Sequence, residues 1–323
     1  MSRLTAPAAP APRRARGGRG TGWRGTWGAF ALSVALSLAL AVSPPAAAGS
    51  APQDAADAQA LRQRHAQLAE ALRANAYQRP LHIESTQSGD RLRGEIHAVV
   101  AHPFGQVRDA LSVPAHWCDI LILPFNTKHC RAAGSAGAPQ LLLRIGRKYD
   151  QPPDKAFKLA FDFRAQAASA GYFETRLEAH DGPVGTRDYR IVVAAVPLEG
   201  GRTFLRMDYA YGFGMAGRLA MRAYLATAGA NKVGFTTVRD ASGREVPTGG
   251  LRGVVERNAM RYYLAIDTYL ASQAVPPAQQ ADWRINAWFD ATEAYPRQLH
   301  EMDKATYVAL KRGEIARLGQ AIE

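Results

Sequence analysis

Between residues 156 and 166 apolar and polar side chains alternate almost without a break. Phe157, Leu159, Phe161 and Phe163 share one parity, and Lys158, Ala160, Asp162 and Arg164 share the other. A period of two belongs to a strand with one face buried, so Asp162 and Arg164 are expected in solvent. The pattern recurs at Tyr172–His180, Arg187–Pro197 and Thr203–Phe213, the last with Leu205, Met207, Tyr209, Tyr211 and Phe213 on one face. Leu141–Lys148 reads the same way. Earlier, Leu81–Thr86 and Arg91–His102 flank Ser88-Gly89-Asp90, a hairpin signal. In Arg91–His102 the residues Leu92, Ile96, Ala98 and Val100 take one face. Arg91, Arg93, Glu95 and His97 take the other, which predicts a half-buried strand. The turns are short and no crossover helices intervene. That favours an antiparallel meander over a parallel sheet.

Elsewhere the period lengthens. Leu61, His65, Leu68 and Leu72 predict a helix over 51–76 that ends before Pro80. Pro103 opens a short helix, Phe104–Leu111, at the end where proline is tolerated. A second, Ala115–Leu123, carries Trp117 and stops at Pro124. Helical patterns return after Gly214, at Met215–Ala228 and Leu251–Ser272. The latter has a wide stripe of Val254, Val255, Asn258, Met260, Tyr262, Ala265, Ile266 and Tyr269. Pro276-Pro277 breaks the chain, and a last helical region, Trp283–Gln320, is expected to kink or split at Pro296. The fold class that buries these stripes is α+β. A curved antiparallel sheet has its concave face covered by the long helix, with extra helices at both ends.

The wording of Gly94–Trp117 (Gly-Glu-Ile-His-Ala-Val-Val-Ala-His-Pro-Phe-Gly-Gln-Val-Arg-Asp-Ala-Leu-Ser-Val-Pro-Ala-His-Trp) resembles the opening of START-like, helix-grip domains of the SRPBCC lipid-binding superfamily. That opening is a strand, a proline-led helix ending in leucine, and a tryptophan soon after. The resemblance covers about residues 81–272. It leaves 49–80 as an N-terminal helix and linker, 273–323 as a helical extension, and a glycine-rich helical insertion after Phe213. It implies a hydrophobic small molecule or lipid, sterol-like or polyketide-like, held in a cavity between sheet and helix. Trp117, Phe161, Phe163, Met207, Tyr209, Tyr211, Met260 and Tyr263 are the candidate cavity walls. Plain sheet-to-helix packing explains each of them equally. Two alternatives stand beside a binding or transport protein. One is a cyclase- or aromatase-like enzyme on the same scaffold, which needs a histidine or carboxylate facing the cavity. The other is a structural or interaction protein of the cell envelope, which needs Trp283, Trp288 and Phe289 exposed as one patch.

Charge changes the picture at the N-terminus. The 323 residues carry 40 basic and 28 acidic side chains, +12 in all, but six of the arginines and none of the acids fall in the first 48. There a basic stretch to Arg24 precedes an apolar run, Ala29–Val42, then Pro44-Pro45 and Ala46-Ala47-Ala48. These are the parts of a cleavable secretory signal, cut after Ala48. The run is shorter than the roughly 18–20 residues of a membrane-spanning helix. A periplasmic or secreted protein is the expectation. Beyond residue 48 the charge is +6, with acids and bases interleaved. No basic stripe marks a nucleic-acid site. A mild positive charge suits peripheral contact with anionic membranes, or simple solubility.

Cys118 and Cys130 pair in an oxidising compartment or stay as two buried thiols. Gly212-Phe-Gly-Met-Ala-Gly217 is a literal G-x-G-x-x-G. The strand before it carries Arg206 and Asp208, whereas a buried parallel strand would be nearly all apolar. A flexible turn or hinge beside the cavity is the preferred reading, with no cofactor. The histidines show no metal-ligand spacing, since His116, Cys118, His129 and Cys130 match no zinc framework. No catalytic residue is named.

Overall fold

The computed structural model describes residues 50–227 and 229–318. The secretory-signal reading of residues 1–48 lies outside them. Eight strands form one sheet: β1 (Leu81–Ser88), β2 (Arg91–Val100), β3 (Thr127–Ser135), β4 (Ala138–Ile145), β5 (Phe157–Ser169), β6 (Tyr172–Asp181), β7 (Thr186–Leu198) and β8 (Arg202–Phe213). Their order is β1-β2-β8-β7-β6-β5-β4-β3. Every neighbouring pair is antiparallel. β3 to β8 is thus a meander whose last strand closes onto β2. A two-residue turn joins β1 to β2, with Gly89 at φ +57°, a conformation that favours glycine. A separate ribbon pairs β9 (Thr237–Arg239) with β10 (Glu245–Pro247).

The helices are α1 (Ser50–Gln67), α2 (Ala69–Arg73), α3 (Phe104–Leu111), α4 (Pro114–Leu121), α5 (Met215–Ala226), α6 (Gly250–Ser272), α7 (Pro277–Glu293), α8 (Pro296–Leu299) and α9 (Lys304–Ala316). α6 lies across β1, β2 and β8 on the inner face of the sheet. The approach is close at Gly94 on β2, where a Cβ would meet Ala259 Cβ and the Val255 carbonyl oxygen, each at 3.1 Å. Sheet and long helix together make the helix-grip, α+β fold of START-like domains.

Three expectations need correction. The outer face of β2 is not solvated. α1 and α2 lay Ala58, Leu61, Leu68 and Leu72 over Tyr172, Ala194, Val196 and Phe204, and Glu95 and His97 are buried with them. Both faces of this half of the sheet are therefore covered. Phe157, on the inward parity of β5, is 52% exposed because it sits at the end of the strand. Asp162 and Arg164 are exposed, as the alternation requires. The C-terminal region splits at Pro296, one of the two outcomes expected there, but it also breaks a second time, giving three helices. A break at 300–303 precedes α9, whose N-terminus is capped by Asp303 accepting from the Thr306 amide at 2.9 Å. β3 had no counterpart in the hydrophobic pattern.

Cys118 on α4 and Cys130 on β3 form a disulfide. G-x-G-x-x-G begins α5 at Gly214. Gly217 packs against the Gly185 carbonyl, where a Cβ would come within 3.1 Å, so this glycine is a close-approach point. Among the described residues no helix is long and apolar enough to cross a membrane.

Candidate functional site

α6 presents Val254, Arg257, Asn258, Arg261 and Tyr262 along one side, spaced by three and four residues. Opposite them stand Ile145 on β4, Leu159 on β5, Tyr189 on β7 and Tyr209 on β8. The space between is a cavity of about 400 Å³, within the usual range for small-molecule sites. Phe125, Lys148 and Pro183 from loops, and Tyr224 from α5, complete its rim.

One wall is a tyrosine cluster. Tyr209 lies 5.1 Å from Tyr262 and 5.6 Å from Tyr211, ring centroid to centroid, and Tyr189 stacks on Tyr211 at 5.3 Å. Burial raises the phenol pKa of Tyr189, Tyr209, Tyr211 and Tyr262, so all four stay neutral donors at physiological pH.

The other wall is cationic. The carboxylate of Glu301, in the break before α9, is shared by Lys148 at 2.7 Å, Lys232 at 2.8 Å and Arg261 at 2.5 Å. Burial alone would raise the Glu301 pKa, but Arg261 and Lys148 pull it down to about 2. Burial lowers the pKa of Lys148, Lys232 and Arg261. Arg257 is 1% exposed. Its guanidinium donates to the Val233 carbonyl at 3.2 Å and the Tyr224 hydroxyl at 3.4 Å. Among the described residues it has no carboxylate partner.

Of the residues singled out from the sequence, Tyr209 lines this cavity. Phe161, Phe163 and Met207 are buried in the sheet's inner core, as are Met260 and Tyr263 on α6. Tyr211 is buried behind Tyr189, and Trp117 donates its indole N–H to the Leu111 carbonyl at 2.9 Å. Arg257, Arg261, Lys148 and Tyr189 were not singled out. On a helix or strand of unknown surroundings, charged and phenolic residues read as surface. No histidine or carboxylate lines the cavity among the described residues. Trp288 and Phe289 are buried against Phe125 and Tyr307, which leaves Trp283 without them as an exposed patch.

A second cluster lies under α1 on the outer face of the sheet. Glu84 pairs across the hairpin with Glu95, and with His97 these residues bring ligand-type atoms within 4.8 Å of one another. Hairpin register was the signal that could have found them. Arg64 already holds Glu84 at 2.9 Å, Arg93 bonds both Glu95 and Asp208, and Arg206 faces Glu174 at 3.7 Å. With Arg176 on Glu174 at 2.6 Å and Arg190 near Asp208 at 3.9 Å, these four carboxylates meet five guanidiniums in a partly buried set of ion pairs.

These features define a helix-grip fold, the START-like arrangement of sheet and long helix, with a cavity between the two. That assignment rests on strand order and the position of α6. No protein-family model matches the chain, and no curated protein matches it. Among solved structures the chain is similar to human StAR-related lipid transfer protein 5, with 9% identity and a TM-score of 0.36 over 69% of this chain and 99% of that one. It is similar to a conserved protein from Geobacillus kaustophilus, with 10% identity and a TM-score of 0.33 over 56% and 96%. It is also similar to truncated norcoclaurine synthase from Thalictrum flavum, with 14% identity and a TM-score of 0.30 over 45% and 91%.

Proposed function

We propose that this protein binds and carries a hydrophobic small molecule or lipid in the cavity between the sheet and α6. The observation that carries this reading is the cavity itself, about 400 Å³, walled by tyrosines and by Phe125, Ile145, Leu159 and Val254. A filled core would have no such space. The lack of a lining histidine or carboxylate favours binding over cyclase-type catalysis. The burial of Trp288 and Phe289 removes the surface that an envelope-docking role would use.

The proposal extends to export and to the membrane. The Cys118–Cys130 disulfide suits an oxidising compartment, in keeping with a leader cut after Ala48. α5 stands at the cavity rim through Tyr224 and leaves Met215 89% and Leu219 70% exposed, with Arg218 and Arg222 beside them. Apolar and basic residues on one short helix suit transient contact with an anionic bilayer while cargo enters or leaves.

The test is expression of the full chain in a bacterial host, recovery of the periplasmic fraction, native mass spectrometry and organic extraction. The expected result is a mature protein beginning at Gly49 with a hydrophobic molecule bound at one equivalent. A ligand-free protein that also takes up no added hydrophobic compound overturns the binding reading. Retention of residues 1–48 overturns export.

A further inference from the structure

The cationic wall has more charge than its partners balance. Lys148, Arg257 and Arg261 line the cavity, Lys232 stands behind them on Glu301, and among the described residues Glu301 is the one carboxylate these four cations meet, a formal excess of three positive charges. Surface charges are neutralised by solvent. The two guanidiniums are not, since Arg257 is 1% exposed and Arg261 is 9% exposed, whereas the Lys148 side chain is partly solvated. A guanidinium does not escape the desolvation cost by losing its proton, because its intrinsic pKa is too high. Arg257 spends its donors on a carbonyl and a distant hydroxyl. Arg261 has a buried Nε with no hydrogen-bond partner among the described residues. Both side chains line the cavity one helical turn apart, with the Asn258 amide between them and Lys148 across the gap. A cavity meant for a wholly apolar cargo would be better served by leucine or methionine at 257.

We propose that this wall binds the acidic head group of the ligand, a carboxylate or a phosphate monoester, with Arg257 as its principal partner. The inference rests on the reading that the cavity takes a hydrophobic molecule. The guanidinium fork matches two oxygens of either anion. Asn258 and Lys148 stand beside it as further donors, while the tail lies against Tyr209, Tyr262, Ile145 and Leu159. Glu301 holds three of the cations in place and keeps its own charge, so the anion meets a fixed set of donors. The cargo class is therefore an amphipathic acid rather than a sterol, an alcohol or a cationic amphiphile.

Isothermal titration of the mature protein at pH 7 decides this, with four probes sharing one tail: decanoate, decyl phosphate, decanol and decyltrimethylammonium. Decanoate or decyl phosphate is expected to bind about tenfold or more tighter than decanol, with the ammonium weakest. Which of the two acids binds tighter separates the carboxylate source from the phosphate source. Arg257→Met narrows the acid-over-alcohol ratio toward one, and Arg257→Lys, a point charge without the fork, restores part of it. The head-group comparison in the unsubstituted protein needs no variant to fold. Equal binding of decanol and both acids overturns the inference and leaves the hydrophobic-ligand reading standing. Binding of none of the four overturns that reading and the inference with it.

Discussion

Lys128 and Glu314 form a wholly buried ion pair, Nζ to Oε1 2.7 Å, across 186 positions of sequence. Lys128 stands on β3 and Glu314 on α9. Lys311 takes the other carboxylate oxygen at 2.7 Å and donates to the carbonyls of Pro124 and Thr127. One carboxylate thus serves two lysines and docks the last helix on the sheet edge beside the cavity-lining loop 124–126.

Removing the shared carboxylate leaves two buried ammonium groups facing each other. Glu314→Gln is expected to destabilise the protein by about 3–5 kcal/mol, read as a lower midpoint in urea unfolding. Replacing Lys128, Lys311 and Glu314 together by Met, Met and Leu should recover most of that loss. If the single substitution leaves the midpoint unchanged, the triad is not what holds α9.

His97 makes stability depend on acid. Burial first, then the positive charges of Arg64, His82, Arg206 and Arg93, lower its pKa from 6.5 to about 3. Between those values the unfolded chain binds a proton that the folded one refuses. The stabilisation is complete above pH 6.5 and is lost as the pH falls toward 3. At pH 4.5 the loss amounts to about 3 kcal/mol from this residue. Glu95, whose pKa burial raises, opposes it near the lower end. His65, His102 and His129 shift in the same direction as His97. In His97→Gln the unfolding midpoint should therefore fall less steeply from pH 6.5 to 4.5, without becoming flat. An unchanged slope would contradict this.

The disulfide closes a loop of 12 positions between α4 and β3. Loop-closure entropy assigns it about 3 kcal/mol. Cys118→Ala with Cys130→Ala should lower the unfolding midpoint accordingly, and reductant should act on the native protein but not on the double variant. Since the bridge flanks the loop that carries Phe125, its loss should also weaken ligand binding, measured with the decyl probes.

Gly94→Ala tests how tightly α6 grips the sheet. The added methyl meets a backbone oxygen and a Cβ, neither of which can rotate away. A cost of about 1–3 kcal/mol is expected, measured by denaturant titration. Ala259→Gly in the same chain should relieve only part of it, because the Val255 carbonyl remains.

The strands that alternate cleanly were legible with nearly their observed ends. Tyr172–His180 became Tyr172–Asp181, and Thr203–Phe213 became Arg202–Phe213. α3 was read with its observed limits because Pro103 marks its start. β3 was not legible. Its residues, Thr-Lys-His-Cys-Arg-Ala-Ala-Gly-Ser, carry no hydrophobic period, and Lys128 is buried only because Glu314 reaches it from the far end of the chain. The site was half legible. Tyr209 follows from strand parity, whereas Arg257 and Arg261 fall between the apolar positions of α6 and look like its solvent face.

By itself the sequence determined the alternation and helical stripes, and through them the antiparallel sheet, the covering helix and the helix-grip class. These are local signals, set by side-chain period and by proline and glycine. Only the tertiary structure decided where the polar residues went. α1 sealed the outer face over Glu95 and His97. The break at Glu301 and the segment after α5 closed over Arg257 and Arg261. Whether a charge is solvated or buried depends on which distant segment packs against it, and no periodicity encodes that. The cavity and its unbalanced positive wall arise at this level.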